Sequence, residues 1–175
     1  MRNAKIISTG AYAPENVLTN RYFDELLGEN VSDWLETVVH IHARRWCEPH
    51  QAASDLAAQA AQQCLDTVGM KPEEIDLIIV ATDTPDFITP STASIVQDKI
   101  NAVRAGTFDI NSACAGFVTA LDTGSKYIRS DTQYNNVLVI GAYAMSKHLD
   151  KTDKKTVTLF ADGAAAVLLQ STEDM

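Results

Sequence analysis

The sequence has 175 residues, with 14 Lys and Arg against 23 Asp and Glu, which gives a formal net charge of −9. Hydrophobic residues make up 46%, so the chain is too apolar for intrinsic disorder and long enough for one domain with a sizeable core. The acidic balance argues against a nucleic-acid-binding surface and against polybasic membrane attachment. No apolar stretch approaches the ~20 residues of a membrane helix, and the N-terminus lacks a signal peptide's apolar core. We therefore expect a cytoplasmic protein with neither a nucleic acid nor a membrane as partner.

Strand and helix patterns alternate along the chain, which indicates an α/β layered domain. Apolar runs predict strands at residues 5–12, 40–46, 75–82, 107–110, 136–143 and 164–170. Helical spacing and capping residues predict a short helix that is capped by Thr19 or Asn20 and ends at residue 27. Further helices are predicted at 32–39, 54–68, 91–100 and 113–128. Ser32 and Ser54 are the expected N-caps of the second and third helices, and Gly69 is expected to end the third. Residues 83–90 and 150–155 are predicted loops.

Three cysteines are present, at positions 47, 64 and 114. Their odd number and wide spacing indicate neither a disulfide framework nor a zinc site. The histidines at positions 40, 42 and 50 lack a carboxylate or cysteine at ligand spacing, so no metal site is expected. Cys64 lies on the apolar face of a predicted helix and is expected in the core, while Cys47 is expected to be structural.

Cys114 stands in the segment Phe-Asp-Ile-Asn-Ser-Ala-Cys-Ala-Gly-Phe, residues 108–117. This pattern predicts a strand, a tight turn, and a helix whose first turn carries Cys114. The unpaired N–H groups and the dipole of a helix N-terminus favour the thiolate form and can hold an oxyanion. Cys114 is therefore a candidate nucleophile, although a free cysteine is often simply a small buried residue and position alone leaves both interpretations open.

The helix that follows Cys114 has two ridges. Gly116, Ala120 and Gly124 form a small ridge, and larger side chains beside them form an adjacent ridge. We expect a helix with both ridges to be packed on more than one side, so that its N-terminus lies deep in the molecule.

Five motifs in order carry a family resemblance: KIISTGAYAPENVLTN at 5–20, SDWLET at 32–37, IDLIIVATDTPDFITPSTA at 75–93, DINSACAGF at 109–117 and LFADGAAAVLL at 159–169. With them, the chain resembles the N-terminal half of a β-ketoacyl-acyl-carrier-protein synthase III, a thiolase-fold condensing enzyme. The resemblance implies one thiolase-like α/β domain over residues 1–175, with a mixed five-stranded sheet and a buried helix that carries the cysteine. It also implies that the family's C-terminal half is absent from this chain.

The same resemblance implies an activity. In that family the cysteine that matches Cys114 accepts an acyl group from acyl-CoA, and the thioester condenses with malonyl-acyl-carrier protein after decarboxylation. We therefore expect an acyltransferase that starts fatty acid or related chain synthesis, without a cofactor, as a homodimer. The family's catalytic His and Asn belong to the absent half.

Four other positions carry over from the family. Trp34 matches a tryptophan that stacks on the adenine of coenzyme A, although it could equally be a half-buried helix residue. Lys154 stands where the family has an arginine on the other adenine face, and lysine keeps the charge but loses planar stacking. Phe160 matches an aromatic residue near the cysteine, with core packing as the alternative. Thr89 falls where the dimer partner reaches the acyl pocket, and its small side chain predicts a longer acyl channel.

The chain departs from the family pattern at residues 39–45. His40 replaces a glycine, and His42 replaces a basic residue near the coenzyme mouth. Arg44 and Arg45 could supply charge for phosphates or an acidic carrier, or could be a solvated strand end. Two other functions remain open from the sequence: another thiolase-fold acyltransferase, such as a hydroxymethylglutaryl-CoA synthase, and a non-catalytic subunit of a heteromeric condensing enzyme.

Overall fold

The computed structural model describes residues 2–173, which are built around a mixed five-stranded sheet. The strands are β1 (Asn3–Tyr12), β2 (Val17–Thr19), β3 (Ala43–Arg45), β4 (Leu77–Ala81), β5 (Gly106–Ile110), β6 (Asn136–Ala144) and β7 (Asp162–Thr172). The helices are α1 (Asn20–Leu27), α2 (Ser32–Thr37), α3 (Ala53–Val68), α4 (Thr92–Lys99), α5 (Gly116–Ser130) and α6 (Lys154–Val157). The sheet order is β1-β7-β6-β4-β5, and β2 pairs with β3 outside it.

Strand direction divides the sheet into two parts. The central strand β4 runs parallel to both β5 and β6, whereas β7 runs antiparallel to β6 and β1. The carboxyl ends of β4, β5 and β6 therefore meet at one edge of the sheet. In open α/β sheets this edge is where ligands bind.

Helices cover both faces of the sheet, and β4 shows this in its side chains. Ile78 and Val80 belong to the apolar cluster under α3 and α4, whereas Leu77 and Ile79 belong to the cluster under α5. This alternation follows from the two-residue period of a strand. The prediction of a strand buried on both faces is confirmed, because all five residues of β4 are buried.

The expected N-cap at Ser54 is wrong. Helix α3 begins at Ala53, and the N–H of Ala52 donates to Oδ2 of Asp55 at 2.8 Å. Ser54 is buried instead, and both its N–H and its hydroxyl donate to the carboxylate of Asp86, at 2.9 and 2.6 Å. The serine thus fixes the segment between β4 and α4 rather than capping its own helix. Gly69 ends the helix as predicted, with a φ of 65°.

Ser32 is also not the cap of its helix. Oδ1 of Asp24, in α1, accepts the N–H groups of Val31 and Ser32 at 2.7 and 3.0 Å. The hydrogen bond from the Ser32 hydroxyl and that from Val31 hold the pKa of Asp24 below its usual value. A carboxylate from the preceding helix therefore caps α2, which ends at Thr37 rather than at residue 39.

Other boundaries also differ from the predictions, most of them by one to three residues. The strand expected at 40–46 shortens to β3, because its partner β2 has three residues and His40 takes a φ of 57°. The helix expected at 113–128 starts at Gly116, after a 3-10 turn that holds Cys114. Within the loop expected at 150–155, α6 already begins at Lys154.

Helix α5 packs with one face on the sheet. Its buried residues are Gly116, Ala120, Gly124 and Ile128, which include the predicted small ridge. The expectation that the helix is packed on more than one side is not met within residues 2–173, where Val118 on another face is 68% exposed. Within these residues the Cys114 end of the helix lies at the surface.

Candidate active site

An open cavity of about 340 Å³ lies at the edge where the three parallel strands end. Cys114 follows β5 and lines this cavity together with residues that follow β4 and residues near the end of β6. Phe160, which precedes β7, lines it as well. The structure therefore brings together two of the predicted site residues, Cys114 and Phe160.

The turn that holds Cys114 presents the thiol to solvent. Ala113 has a φ of 44°, in the left-handed region that a residue with a side chain seldom adopts, and Cys114 is exposed. Backbone strain of this kind often accompanies functional sites. The N–H of Cys114 donates to no other described residue, so it is free to face a ligand at the start of α5.

Phe160 is held at the cavity by two aromatic neighbours. The indole Nε1 of Trp46 donates to the carbonyl oxygen of Phe160 at 3.0 Å. The ring of Tyr143 lies across the cavity wall, with its centroid 6.2 Å from that of Phe160. Trp46, directly after β3, is itself buried beside Phe23 of α1, so the position of Phe160 depends on the packing of Trp46 against α1.

A second cavity, of about 270 Å³, brings Trp34 and Lys154 together. Trp34 is 47% exposed, so one part of its indole is free for contact with a ligand. Nζ of Lys154 lies 2.9 Å from Oε2 of Glu29, and Lys155 also lines this cavity. An exposed ion pair of this kind contributes little to stability.

Thr89 joins neither of these cavities. It is exposed in the segment between β4 and α4, beside the exposed side chains of Phe87 and Ile88. The hydrogen bonds from Ser54 to Asp86 anchor this segment three residues before Thr89.

The expectation that Arg44 either binds phosphates or lies at a solvated strand end is wrong. Its side chain is buried, with the guanidinium carbon 4.3 Å from the ring centroid of Phe23 and Nη1 donating to Asn20 at 2.6 Å. Burial lowers the pKa of Arg44. The neighbouring Arg45 donates to the carbonyl oxygen of Pro14 at 2.6 Å, so both arginines have structural partners.

Asp162 ties together three segments beside the Cys114 cavity. Its carboxylate accepts the N–H of Cys47 at 2.8 Å, the N–H of Ser146 at 2.9 Å, and the Ser146 hydroxyl. Burial, followed by the hydrogen bond and negative charge of Asp162, raises the pKa of the Cys47 thiol to about 11. Burial likewise raises the pKa of Cys64.

These environments predict the order in which the three thiols react. Iodoacetamide near pH 7 is expected to alkylate Cys114 well before Cys47 or Cys64, because alkylation needs an accessible thiolate. Cys114 is exposed and the other two are buried. Peptide mass mapping over time measures the order, and faster modification of Cys64 would contradict the prediction.

The residues of the Cys114 cavity that were not predicted as site residues include Asp83 and Tyr143, whose side chains carry a carboxyl and a hydroxyl group. Both lie at the carboxyl end of a parallel strand, as Cys114 does. That shared position is the signal that could have identified them.

Within residues 2–173 no group of three or more His, Cys, Asp or Glu side chains could hold a metal ion. The helices of this described part are also too short or too polar to cross a membrane.

Sequence comparison finds relatives over nearly the whole chain. Residues 108–175 match the family model described as 3-oxoacyl-[acyl-carrier-protein (ACP)] synthase III. The chain is 48% identical over 174 residues to β-ketoacyl-[acyl-carrier-protein] synthase III of Clostridium perfringens strain SM101, covering 99% of this chain and 53% of that protein. The protein of the same name from Clostridium acetobutylicum is 42% identical, with the same coverage. The chain thus spans about half the length of the curated relatives it matches.

Solved structures agree with this result. The 3-oxoacyl-[acyl-carrier-protein] synthase III of Aquifex aeolicus VF5 has a TM-score of 0.92 and 42% identity, over 98% of this chain and 55% of that chain. The priming β-ketosynthase of the R1128 polyketide biosynthetic pathway has a TM-score of 0.93 and 29% identity, over 99% and 51%. The thiolase-like fold with a mixed five-stranded sheet is confirmed.

Proposed function

We propose that this chain, which is homologous over 174 residues to β-ketoacyl-acyl-carrier-protein synthase III, carries the acyl-accepting cysteine of such a condensing enzyme. The observation that carries the proposal is the position of Cys114. Its thiol is exposed in the turn before α5 and lines an open cavity at the edge where β4, β5 and β6 end. A cysteine at a helix N-terminus is suited to nucleophilic attack.

In the proposed step, the Cys114 thiolate attacks the carbonyl carbon of an acyl-CoA. A carbon–sulfur bond forms to Sγ of Cys114, and the carbonyl electrons move to the oxygen. The free N–H of Cys114 is a suitable donor to this oxyanion. When the tetrahedral intermediate collapses, the bond to the coenzyme sulfur breaks and the coenzyme thiolate leaves, taking up a proton from solvent.

The second cavity suits the nucleotide end of coenzyme A. The half-exposed indole of Trp34 offers a stacking face for adenine, and Lys154 offers a cation for phosphate. Lys154 would have to leave Glu29 to reach a phosphate, which costs little for an exposed ion pair.

The remaining parts of the proposal rest on homology. Malonyl-acyl-carrier protein is the proposed second substrate, with condensation of its malonyl group after decarboxylation. A homodimer in the cytoplasm is the proposed state of the protein. Thr89, in the exposed segment before α4, is proposed to leave the acyl channel long.

Incubation of the purified protein with acyl-CoA tests the first step. Intact mass should increase by one acyl group, and peptide mapping should place that group on Cys114. Addition of malonyl-acyl-carrier protein to the full-length enzyme should then yield a ketoacyl product. The proposal fails if no acyl adduct forms while Cys114 remains alkylatable.

Replacement of Trp34 tests the nucleotide site separately. We expect Trp34→Ala to raise the KM for acyl-CoA about tenfold, because stacking of one base on an aromatic ring contributes about 1–3 kcal/mol. Acylation by an acyl-N-acetylcysteamine, which lacks the nucleotide, should be unaffected. Val68→Ala removes another partly exposed apolar side chain at the end of α3 and serves as the control. Equal loss with both donors would show that Trp34 does not contact the nucleotide.

A further inference from the structure

The Cys114 cavity has a mostly apolar wall with two free polar side chains, Asp83 and Tyr143. The carboxylate of Asp83 and the hydroxyl of Tyr143 make no hydrogen bond to any other described residue. Thr82 also lines the cavity, but its hydroxyl is already hydrogen-bonded to Thr84. It pairs with the hydroxyl of Thr84 at 3.3 Å and accepts the N–H of Thr84 at 3.1 Å. In ligand-binding pockets that are mostly apolar, a few polar groups orient the ligand and determine specificity.

The fold places these two groups beside the thiol. Ala81, at the end of β4, pairs with Ile110 of β5 on one side and with Gly141 of β6 on the other. Asp83 therefore follows the central strand, Cys114 follows one neighbour, and Tyr143 lies near the end of the other. Burial first, and then electrostatic interaction with Asp83, Cys114 and Asp162, raises the pKa of Tyr143, which agrees with Tyr143 lying close to Asp83 and Cys114.

We propose that Asp83 and Tyr143 determine acyl specificity and that the cavity selects an acyl group bearing a hydroxyl. The proposal rests on the proposed acyl transfer to Cys114. A hydroxyl both donates and accepts, so it can donate to the Asp83 carboxylate and accept from the Tyr143 hydroxyl. Asp83 is exposed, so the hydroxyl would take the place of water at its carboxylate, whereas an unsubstituted acyl chain against the carboxylate would displace water without replacing its hydrogen bond. A carboxylate on the acyl chain would be repelled by Asp83.

Acylation of Cys114 by three thioesters of N-acetylcysteamine tests the selection directly. The acyl groups are butyryl, 3-hydroxybutyryl and succinyl, and intact mass measures each rate at low donor concentration. Since a hydrogen bond to a charged group is stronger than one between neutral groups, we expect 3-hydroxybutyryl to react at least about tenfold faster than butyryl. Succinyl should react more slowly than butyryl.

Variants assign the preference to the two side chains. Asp83→Ala should remove the preference for 3-hydroxybutyryl over butyryl. Asp83→Asn keeps a hydrogen-bond acceptor but removes the charge, so it should raise the relative rate of succinyl and retain part of the hydroxyl preference. Tyr143→Phe should reduce the hydroxyl preference without helping succinyl.

Thiol reactivity is measured independently in every variant. The rate of Cys114 alkylation by iodoacetamide, which carries no charge, corrects each acylation rate for any change in the thiolate. Equal 3-hydroxybutyryl to butyryl ratios in the unmodified protein and in Asp83→Ala would overturn the selection proposal while leaving acyl transfer intact. A thiol that alkylates but accepts none of the three acyl groups would overturn acyl transfer itself, and the selection proposal with it.

Discussion

Cys114→Ser is expected to lower the rate of acylation by acyl-CoA by at least about 10³-fold, the scale of loss when an enzyme's nucleophile is replaced. A serine hydroxyl is almost wholly protonated near neutral pH and attacks a thioester only when a base removes its proton. The described residues that line the cavity include no histidine. A thiol is far more nucleophilic than an alcohol without such a base, so serine at this position cannot replace the cysteine.

The comparison needs a variant that removes a thiol without touching the cavity. Cys64→Ala does so, because Cys64 is fully buried in the apolar cluster under α3. Intact mass measures acylation in both variants, and thermal unfolding shows that both are folded. Acylation that survives in Cys114→Ser, or that is lost in Cys64→Ala while the protein stays folded, would place the acceptor elsewhere.

Local patterns predicted the individual strands, whereas the mixed five-stranded sheet was implied by the family resemblance. Cys114 was placed near the start of the correct helix, although it lies in a 3-10 turn before α5 and not in the first turn of that helix. A continuous apolar run such as that of β4 has few alternatives to a strand buried on both faces. The segment around Cys114 carries its own signals as well, namely a short strand, small residues and an amphipathic helix. In these places local preference and tertiary packing favour the same structure.

Residues whose role depends on a distant partner were the ones that sequence reasoning missed. Ser54 is a residue type that often caps helices, but both its N–H and its hydroxyl donate to the carboxylate of Asp86, 32 positions away. Arg44 seemed available for phosphates, but Phe23 and Asn20 of α1 enclose it. Such partners are defined by the fold, and only the pairing of strands and helices reveals them.

Gly10→Ala is expected to destabilise the protein by about 3 kcal/mol, at the upper end of the cost of overpacking. Gly10 lies in β1, and a Cβ atom there would stand 2.3 Å from the carbonyl oxygen of Ala60 and 2.5 Å from the nitrogen of Cys64. Both are backbone atoms of α3, so no side chain can rotate away. The helix would have to move off the strand, which opens the apolar cluster that includes Leu56, Leu65 and Leu168.

Thermal unfolding measures this effect against two other glycines. A loss of about 3 kcal/mol corresponds to a Tm lower by roughly 6–12 °C for a domain of this size. Gly106→Ala, whose Cβ would meet Leu77 at an ordinary 3.4 Å, should change the free energy of unfolding by less than about 0.5 kcal/mol. Gly28→Ala has open space but a φ of 69°, so backbone strain alone should cost about 1 kcal/mol. If Gly10→Ala were as stable as Gly106→Ala, the close contact between β1 and α3 would not be what requires glycine at position 10.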